Sequence, residues 1–132
     1  MARADLALVA YLARDYDEAI AWFQTALGWV LLEDSDMGDG KRWVCMAPDA
    51  GADTGFLIAR AVDGQTAHIG QHAGGRVGYF LRTDDFAALH ARMLAAGVAF
   101  EEAPRSEPYG MVAVFRDLYG NRWDLIGPAP AP

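Results

Sequence analysis

The segment RDLYGNRWDLI, residues 116–126, carries one carboxylate, Asp124, on a strand-like run that follows the turn signal YGN. Alternation along a strand puts Arg122 and Asp124 on one face and the apolar Trp123 and Leu125 on the other. A carboxylate in that position can hold an amine or hydroxyl of a ligand, form an ion pair with Arg122 or Arg82, or act as a general base. We favour the binding role over the ion pair, and the ion pair over catalysis.

Other reactive side chains are sparse. His68 and His72 have the i, i+4 spacing that can clasp a metal on a helix, but they lie in a glycine-rich stretch with no third ligand beside them. Ser35 and Ser106 have no histidine nearby in the sequence, so no pair of nucleophile and base is expected. The single cysteine, Cys45, stands among apolar neighbours and is predicted to be a buried thiol.

The bulk properties exclude several kinds of partner. The chain has 132 residues and a formal net charge of -7. It lacks the basic patch that neutralises phosphates, so neither nucleic acid nor an anionic membrane is expected as a partner. The first apolar stretch is too short and too often interrupted by charge for a signal peptide or a membrane span, and we expect a cytoplasmic protein. The length predicts one domain over residues 1–132.

The elements that must position Asp124 occur twice. Residues 8–34 and 78–103 each read as an apolar strand, an aspartate, a helix, a glycine and another strand. Short strands rich in aromatic and β-branched residues follow in each half. The pattern is therefore βαβββ twice, with module one at about 5–60, a glycine-rich linker at about 61–76 and module two at about 77–127.

Both helices have recognisable ends. Asp15 is predicted to cap the first helix together with Glu18, as in a capping box, and Asp84 or Asp85 to cap the second. A glycine follows each helix. His90 falls off the apolar stripe of the second helix and is predicted to be a surface residue. The stripes themselves, at helical spacing, comprise Tyr16, Ile20, Phe23 and Leu27 in the first helix and Phe86, Leu89, Met93 and Ala96 in the second.

The opening strand, LALVAYLA, is apolar at both parities, so both of its faces should be covered. One face meets the helix, and the other either packs as core or lines a concave interior large enough for a ligand. The expected fold is α+β, with two βαβββ modules forming a curved mixed sheet around a cup and the helices outside. Trp43 and Phe80 are candidates for aromatic walls of the cup, with core packing as the alternative.

The order of the elements and the segments ARDYDEAIAWFQTALGW, TDDFAALHARMLAAGV and FRDLYGNRWDLIG resemble the vicinal oxygen chelate superfamily. That superfamily includes glyoxalase I, bleomycin-resistance proteins and extradiol dioxygenases, and the resemblance runs from about Leu6 to Gly127. It implies a homodimer and a small organic ligand. It does not imply one chemistry, because the fold hosts lyases, isomerases, oxygenases and plain binders. It also implies that Tyr109 lies at the mouth of the cup, where it either donates a hydrogen bond to a ligand or covers the core edge.

Metal-binding members of the superfamily usually take one ligand from each of four strands. Carried over by position, these sites fall on Leu8, Leu57, Gly78 and Asp124. A catalytic divalent ion typically requires three or more nitrogen or oxygen side-chain ligands, and leucine and glycine offer none. We therefore expect no metal and no other cofactor.

The expected function is that of a metal-free small-molecule binder similar to the bleomycin-resistance branch, with an apolar cup and Asp124 as the polar anchor. The alternative is a metal-dependent or metal-independent lyase, isomerase or dioxygenase of the same superfamily. Whether the chain is an enzyme stays open, and no catalytic residue is assigned. The residues expected to bind the ligand are Leu8, Leu57, Gly78, Phe80, Tyr109, Arg122 and Asp124.

Overall fold

The computed structural model describes residues 2–129, and the chain separates into two compact units on either side of the Ile69–Gly70 bond. The first unit contains β1 (Leu8–Ala13), α1 (Tyr16–Trp22), a π-helical turn (Phe23–Leu27), β2 (Val30–Gly38), β3 (Lys41–Ala47), β4 (Gly55–Arg60) and a 3-10 turn (Asp63–His68). Its four strands form one mixed sheet in the order β1-β4-β3-β2, with β1 parallel to β4.

The second unit repeats this order with one addition. It contains β5 (Val77–Arg82), α2 (Phe86–Ala95), β6 (Ala99–Phe100), β7 (Arg105–Glu107), β8 (Gly110–Arg116) and β9 (Arg122–Gly127). The sheet order is β5-β9-β8-β6, and the short β7, absent from the predicted pattern, pairs with β8. The α+β class is confirmed, with a mixed sheet in each module. Neither helix within residues 2–129 is long and apolar enough to cross a membrane.

The predicted helix caps are largely confirmed. The carboxylate of Asp15 accepts a hydrogen bond of 2.8 Å from the backbone N–H of Glu18. The side chain of Glu18 does not complete a capping box, because its carboxylate binds Arg14 at 2.7 Å instead. Asp85 rather than Asp84 caps α2, accepting from the N–H of Ala88 at 3.1 Å.

The apolar stripe of α1 is confirmed and that of α2 only in part. All four residues predicted for the first helix are buried, as are Phe86 and Met93 of α2. Ala96 is exposed, because α2 ends at Ala95 and the chain turns away at Gly97, whose φ is 81°. His90 is half-buried rather than a plain surface residue, since its ring lies between Phe86, at 5.6 Å, and Phe100, at 4.6 Å.

A cluster of aromatic rings joins the π-helical turn after α1 to the sheet of module one. The ring of Phe23 lies 5.2 Å from that of Tyr11, 4.9 Å from that of Trp29 and 5.8 Å from that of Phe56. All four side chains are buried. Such rings bury large apolar areas, so this face of the sheet forms the core. The opposite face of this sheet is not part of the aromatic cluster.

The turn between β8 and β9 is organised by the buried carboxylate of Asp117. It accepts hydrogen bonds from the backbone N–H groups of Tyr119 and Asn121, both at 3.0 Å, and from the indole N–H of Trp123 at 2.9 Å. The side-chain amide of Asn121 also donates to it, at 3.1 Å, and accepts from the N–H of His72 at 3.3 Å. The turn predicted from the YGN signal is confirmed, and it sets the start of the strand that carries Asp124.

Replacing Asp117 by Ala should lower the free energy of unfolding by about 2–4 kcal/mol, because several buried donors lose a charged acceptor together. The matched control is Asp85→Ala, which removes a helix cap and should cost about 1 kcal/mol. Urea unfolding followed by circular dichroism measures both. A loss for Asp117→Ala no larger than that of the control would contradict a central role for this carboxylate.

Candidate functional site

Asp124 lies on one face of the module-two sheet beside Phe80 and Val114. These two residues are its direct cross-strand partners on β5 and β8, so the three side chains share a face. The opposite face carries α2, since a Cβ placed on Gly127 would come within 2.7 Å of the Cβ of Phe86. The alternation predicted for β9 is therefore confirmed, with Asp124 on the face away from the helix.

This face combines a partly buried carboxylate with an exposed ring. The side chain of Phe80 is 64% exposed, so it does not belong to the core of module two. Trp123, next to Asp124 along the strand, is 2% exposed and packs on the helix side. The face thus offers an aromatic surface and one acidic group side by side.

The carboxylate of Asp124 forms no hydrogen bond and no ion pair within residues 2–129. Burial raises its pKa above the ordinary value for an aspartate. Arg105 lowers it, Glu102 raises it and Arg122 lowers it, each by a smaller amount. Arg105 is itself engaged, because its guanidinium pairs with Glu102 and with Glu107, the latter at 2.8 Å.

Arg122, predicted as a partner for Asp124, is turned elsewhere. Its Nε and Nη2 donate to Glu101 at 2.7 and 2.9 Å, and its Nη1 donates to the carbonyl oxygen of Gly75 at 3.2 Å. Among the residues the structure describes, neither Arg122 nor Arg82 forms an ion pair with Asp124. The arrangement differs from the structural salt bridge weighed from sequence.

A small cavity of about 100 Å³ lies at the start of β9. Arg122 and Gly78 line it together with the glycine-rich loop, whereas Phe80 and Asp124 do not. His72 also lies there, in a loop, and His68 ends a 3-10 turn. These histidines therefore do not share a helix, and the metal clasp suggested by their spacing does not form.

Module one contains a larger depression of about 420 Å³, lined in part by Trp43, Leu57, Ala59, Tyr16 and Arg60. We call it the module-one depression. Its volume falls within the range of about 300–1,000 Å³ that is typical of small-molecule pockets. The structure thus brings the predicted site residue Leu57 together with the aromatic candidate Trp43. Leu8 is not among the lining residues.

The basic rim of this depression was not anticipated from sequence. Tyr16 was assigned only to the apolar stripe of the first helix, and Arg60 was given no role. No local pattern marks them, because they meet through contacts between elements far apart in the chain. The guanidinium of Arg60 lies over the Tyr16 ring, 5.6 Å from its centroid.

Trp43 and Cys45 lie two residues apart on β3, so their side chains share a face of the sheet. Burial raises the pKa of the Cys45 thiol, as does the charge of Glu33. A raised pKa keeps a thiol protonated and a poor nucleophile. The predicted buried thiol is confirmed.

Tyr109 lies in the turn between β7 and β8, and its side chain is 62% exposed. The two alternatives left open from sequence, a hydrogen bond to a ligand and cover for the edge of the core, both stay predictions.

The four positions expected from the resemblance to hold metal ligands do not supply a ligand set for a divalent ion. Leu8, Leu57 and Gly78 supply no nitrogen or oxygen side-chain donor, and only Asp124 does. The Gly78 position is also closed, because a Cβ placed on it would lie 2.7 Å from the Cβ of Ala73. Within residues 2–129 there is no group of three or more His, Cys, Asp or Glu side chains placed to hold a metal.

Several known proteins are similar to this chain. An uncharacterised protein of Shewanella frigidimarina is 44% identical over 120 residues, covering 89% of each chain. The crystal structure of UcmS2 has a TM-score of 0.79 at 30% identity, covering 95% of this chain and 98% of that one. TnmS3, described as an antibiotic binding protein from Streptomyces sp. CB03234, has a TM-score of 0.77 at 32% identity, covering 98% and 99%.

A family model also matches, over residues 6–125, and it carries the description Glyoxalase/Bleomycin resistance protein/Dioxygenase superfamily. The match runs from just before β1 into β9 and so includes both modules and Asp124. The resemblance seen in the sequence is confirmed. The chain belongs to the Glyoxalase/Bleomycin resistance protein/Dioxygenase superfamily.

Proposed function

We propose that the protein is a metal-free binder of small organic molecules and that Asp124 is its polar anchor. The observation that carries this proposal is a partly buried carboxylate without a partner in the described chain, beside the exposed ring of Phe80. Removing a carboxylate from water without a partner costs stability. Proteins keep such a destabilising group where a binding or catalytic site requires it, which supports a functional role for Asp124.

The chemistry of the face indicates the ligand class. An amine or hydroxyl donates a charge-assisted hydrogen bond to Asp124, and a planar or apolar body packs on Phe80. The antibiotic-binding description of TnmS3, at 32% identity, supports an organic ligand of this kind. The net charge of -7 favours a neutral or cationic ligand over an anionic one at this face.

The metal-free assignment rests on the donor set and on the packing at Gly78. A histidine at that position would require the loop carrying Ala73 to move, since a Cβ alone already lies 2.7 Å from the Ala73 methyl. Elemental analysis of protein purified without chelator tests the assignment. A stoichiometric transition metal would overturn it.

A base-catalysed reaction is the second candidate. The specific observation in its favour is the raised pKa of Asp124, because a carboxylate with a raised pKa is a stronger general base than an ordinary one. Turnover of a bound ligand, followed by mass spectrometry and lost in Asp124→Asn, distinguishes this candidate from plain binding. Recovery of the ligand unchanged favours the binder.

We also propose that the protein is a homodimer in the cytoplasm. The edge strand β2 exposes apolar side chains that a second copy can cover, namely Val30, Leu32 and Met37, which are 38%, 45% and 56% exposed. Cys45 has no second cysteine to pair with, which supports a reducing compartment. Sedimentation velocity tests the oligomer, and a monomer at micromolar concentration would contradict it.

Replacing Asp124 by Asn should weaken binding of an aromatic amine by about 10- to 100-fold, because a hydrogen bond to a charged acceptor is lost. The probes are a panel of planar aromatic amines and their uncharged analogues, measured by isothermal titration calorimetry. Asp53→Asn makes the same charge change at an exposed position on module one and should leave the affinity unchanged. Equal affinities in the wild type and Asp124→Asn would remove Asp124 from the site.

Asp124→Asn should also be at least as stable as the wild type at neutral pH. Burial raises the folded-state pKa of Asp124. The associated stability is fully present below the unfolded pKa, about 3.9, and is lost as the pH rises through the folded pKa. Asparagine does not titrate, so the advantage of the variant should disappear below about pH 4 in thermal unfolding. A lower melting temperature for the variant at neutral pH would instead indicate a structural ion pair.

A further inference from the structure

The module-one depression has apolar and aromatic walls on one side. Leu57 and Ala59 come from β4, and Trp43 from β3. These side chains offer a planar apolar ligand a surface that is already formed, in a volume of about 420 Å³.

The other side of the depression is basic. Two guanidinium groups lie over the buried Tyr16 ring. The Cζ of Arg42 is 5.1 Å and the Cζ of Arg60 is 5.6 Å from the ring centroid. Both distances lie within the range of a cation–π contact. The Tyr16 hydroxyl accepts from the backbone N–H of Arg42 at 3.2 Å, which fixes the ring in place.

The two arginines differ in their partners. Arg42 binds Asp34 at 2.7 Å and Asp17 at 2.9 Å, and these contacts raise its pKa further above the ordinary value. Arg60 pairs with no carboxylate among residues 2–129. Its Nη2 lies near Gly40, 3.6 Å from where a Cβ on that residue would be. Arg60 is thus placed between the ring and the β2–β3 turn with its charge uncompensated.

The remaining charged groups that line the depression are Lys41 and Asp39. The charges of Lys41 and Asp39 cancel, and Arg42 is neutralised by its two aspartates. The net positive charge at the rim therefore comes from Arg60. A guanidinium binds planar oxyanions such as carboxylate or sulfonate through two parallel hydrogen bonds. When the anionic group of a ligand binds Arg60, the aromatic part of the same ligand can pack on Trp43 and Leu57.

We infer that the module-one depression binds an aromatic molecule that carries an anionic group, with Arg60 as its cationic partner and Trp43 and Leu57 as its apolar wall. The inference rests on the proposed function in that the chain binds small organic molecules. It uses no residue of module two, so it stands apart from the role of Asp124.

Two fluorescent probes test the inference. 8-Anilinonaphthalene-1-sulfonate carries a sulfonate, and N-phenyl-1-naphthylamine has the same rings without it. The wild type should bind the sulfonate at one saturable site per chain, about tenfold more tightly than the neutral probe. Arg60→Gln should remove most of this difference by weakening the sulfonate alone. Trp43→Phe should reduce energy transfer from tryptophan to either bound probe.

Controls separate charge from folding. Arg76→Gln makes the same charge change on the loop of module two and should leave both affinities unchanged. Arg60→Lys keeps the charge without the planar fork and should restore part of the preference for the sulfonate. Thermal unfolding of each variant verifies that it is folded under the binding conditions.

Equal affinities for the two probes in the wild type would overturn the inference, as would an unchanged preference in folded Arg60→Gln. Absence of saturable binding by either probe would also overturn it. None of these results bears on Asp124, whose affinity for aromatic amines is measured separately. Failure of this inference is therefore distinguishable from failure of the proposed function.

Discussion

The candidate site of module two depends on the hydrogen bonds that the buried carboxylate of Asp117 accepts. This carboxylate gathers backbone and side-chain donors from Tyr119, Asn121 and Trp123, and so fixes where β9 begins. A shift of one residue in the register of a strand moves every side chain to the other face. Such a shift would bury Asp124 under α2 and expose Trp123. The indole N–H bond to Asp117 opposes it directly.

Ion pairs also determine which charged groups near Asp124 are already engaged. Glu101 occupies Arg122, and Arg105 is occupied by Glu102 and Glu107. Asp124, between these pairs, is left with its charge uncompensated by a direct contact. The ion pairs themselves contribute little stability at the surface. Their effect on the site is to engage Arg122 and Arg105, which would otherwise neutralise the carboxylate of Asp124.

The sequence predicts the parts of this architecture that depend on neighbours along the chain. The Asp15 cap, the α1 stripe and the alternation of β9 are local patterns with fixed periods, and each is present. The partner of Arg122 was missed because Glu101 is 21 residues away and reaches it across the sheet. The side chain of Glu18 was misassigned because Arg14 competes for it. Local pattern carries no information on such competition.

The depression in module one shows the same limit. Its walls come from β3 and β4, its rim from α1 and the β2–β3 turn, and no segment of the sequence contains all of them. Leu57 was singled out as a metal position that had lost its donor. In the structure it is part of an apolar wall beside Trp43.

At Gly78, the Ala73 methyl occupies the space in which a side chain at residue 78 would begin. A histidine there needs the loop backbone to move as well as a new side chain. The packing of module two has therefore adapted to a glycine. That space instead seats the loop that brings the carbonyl oxygen of Gly75 to Arg122.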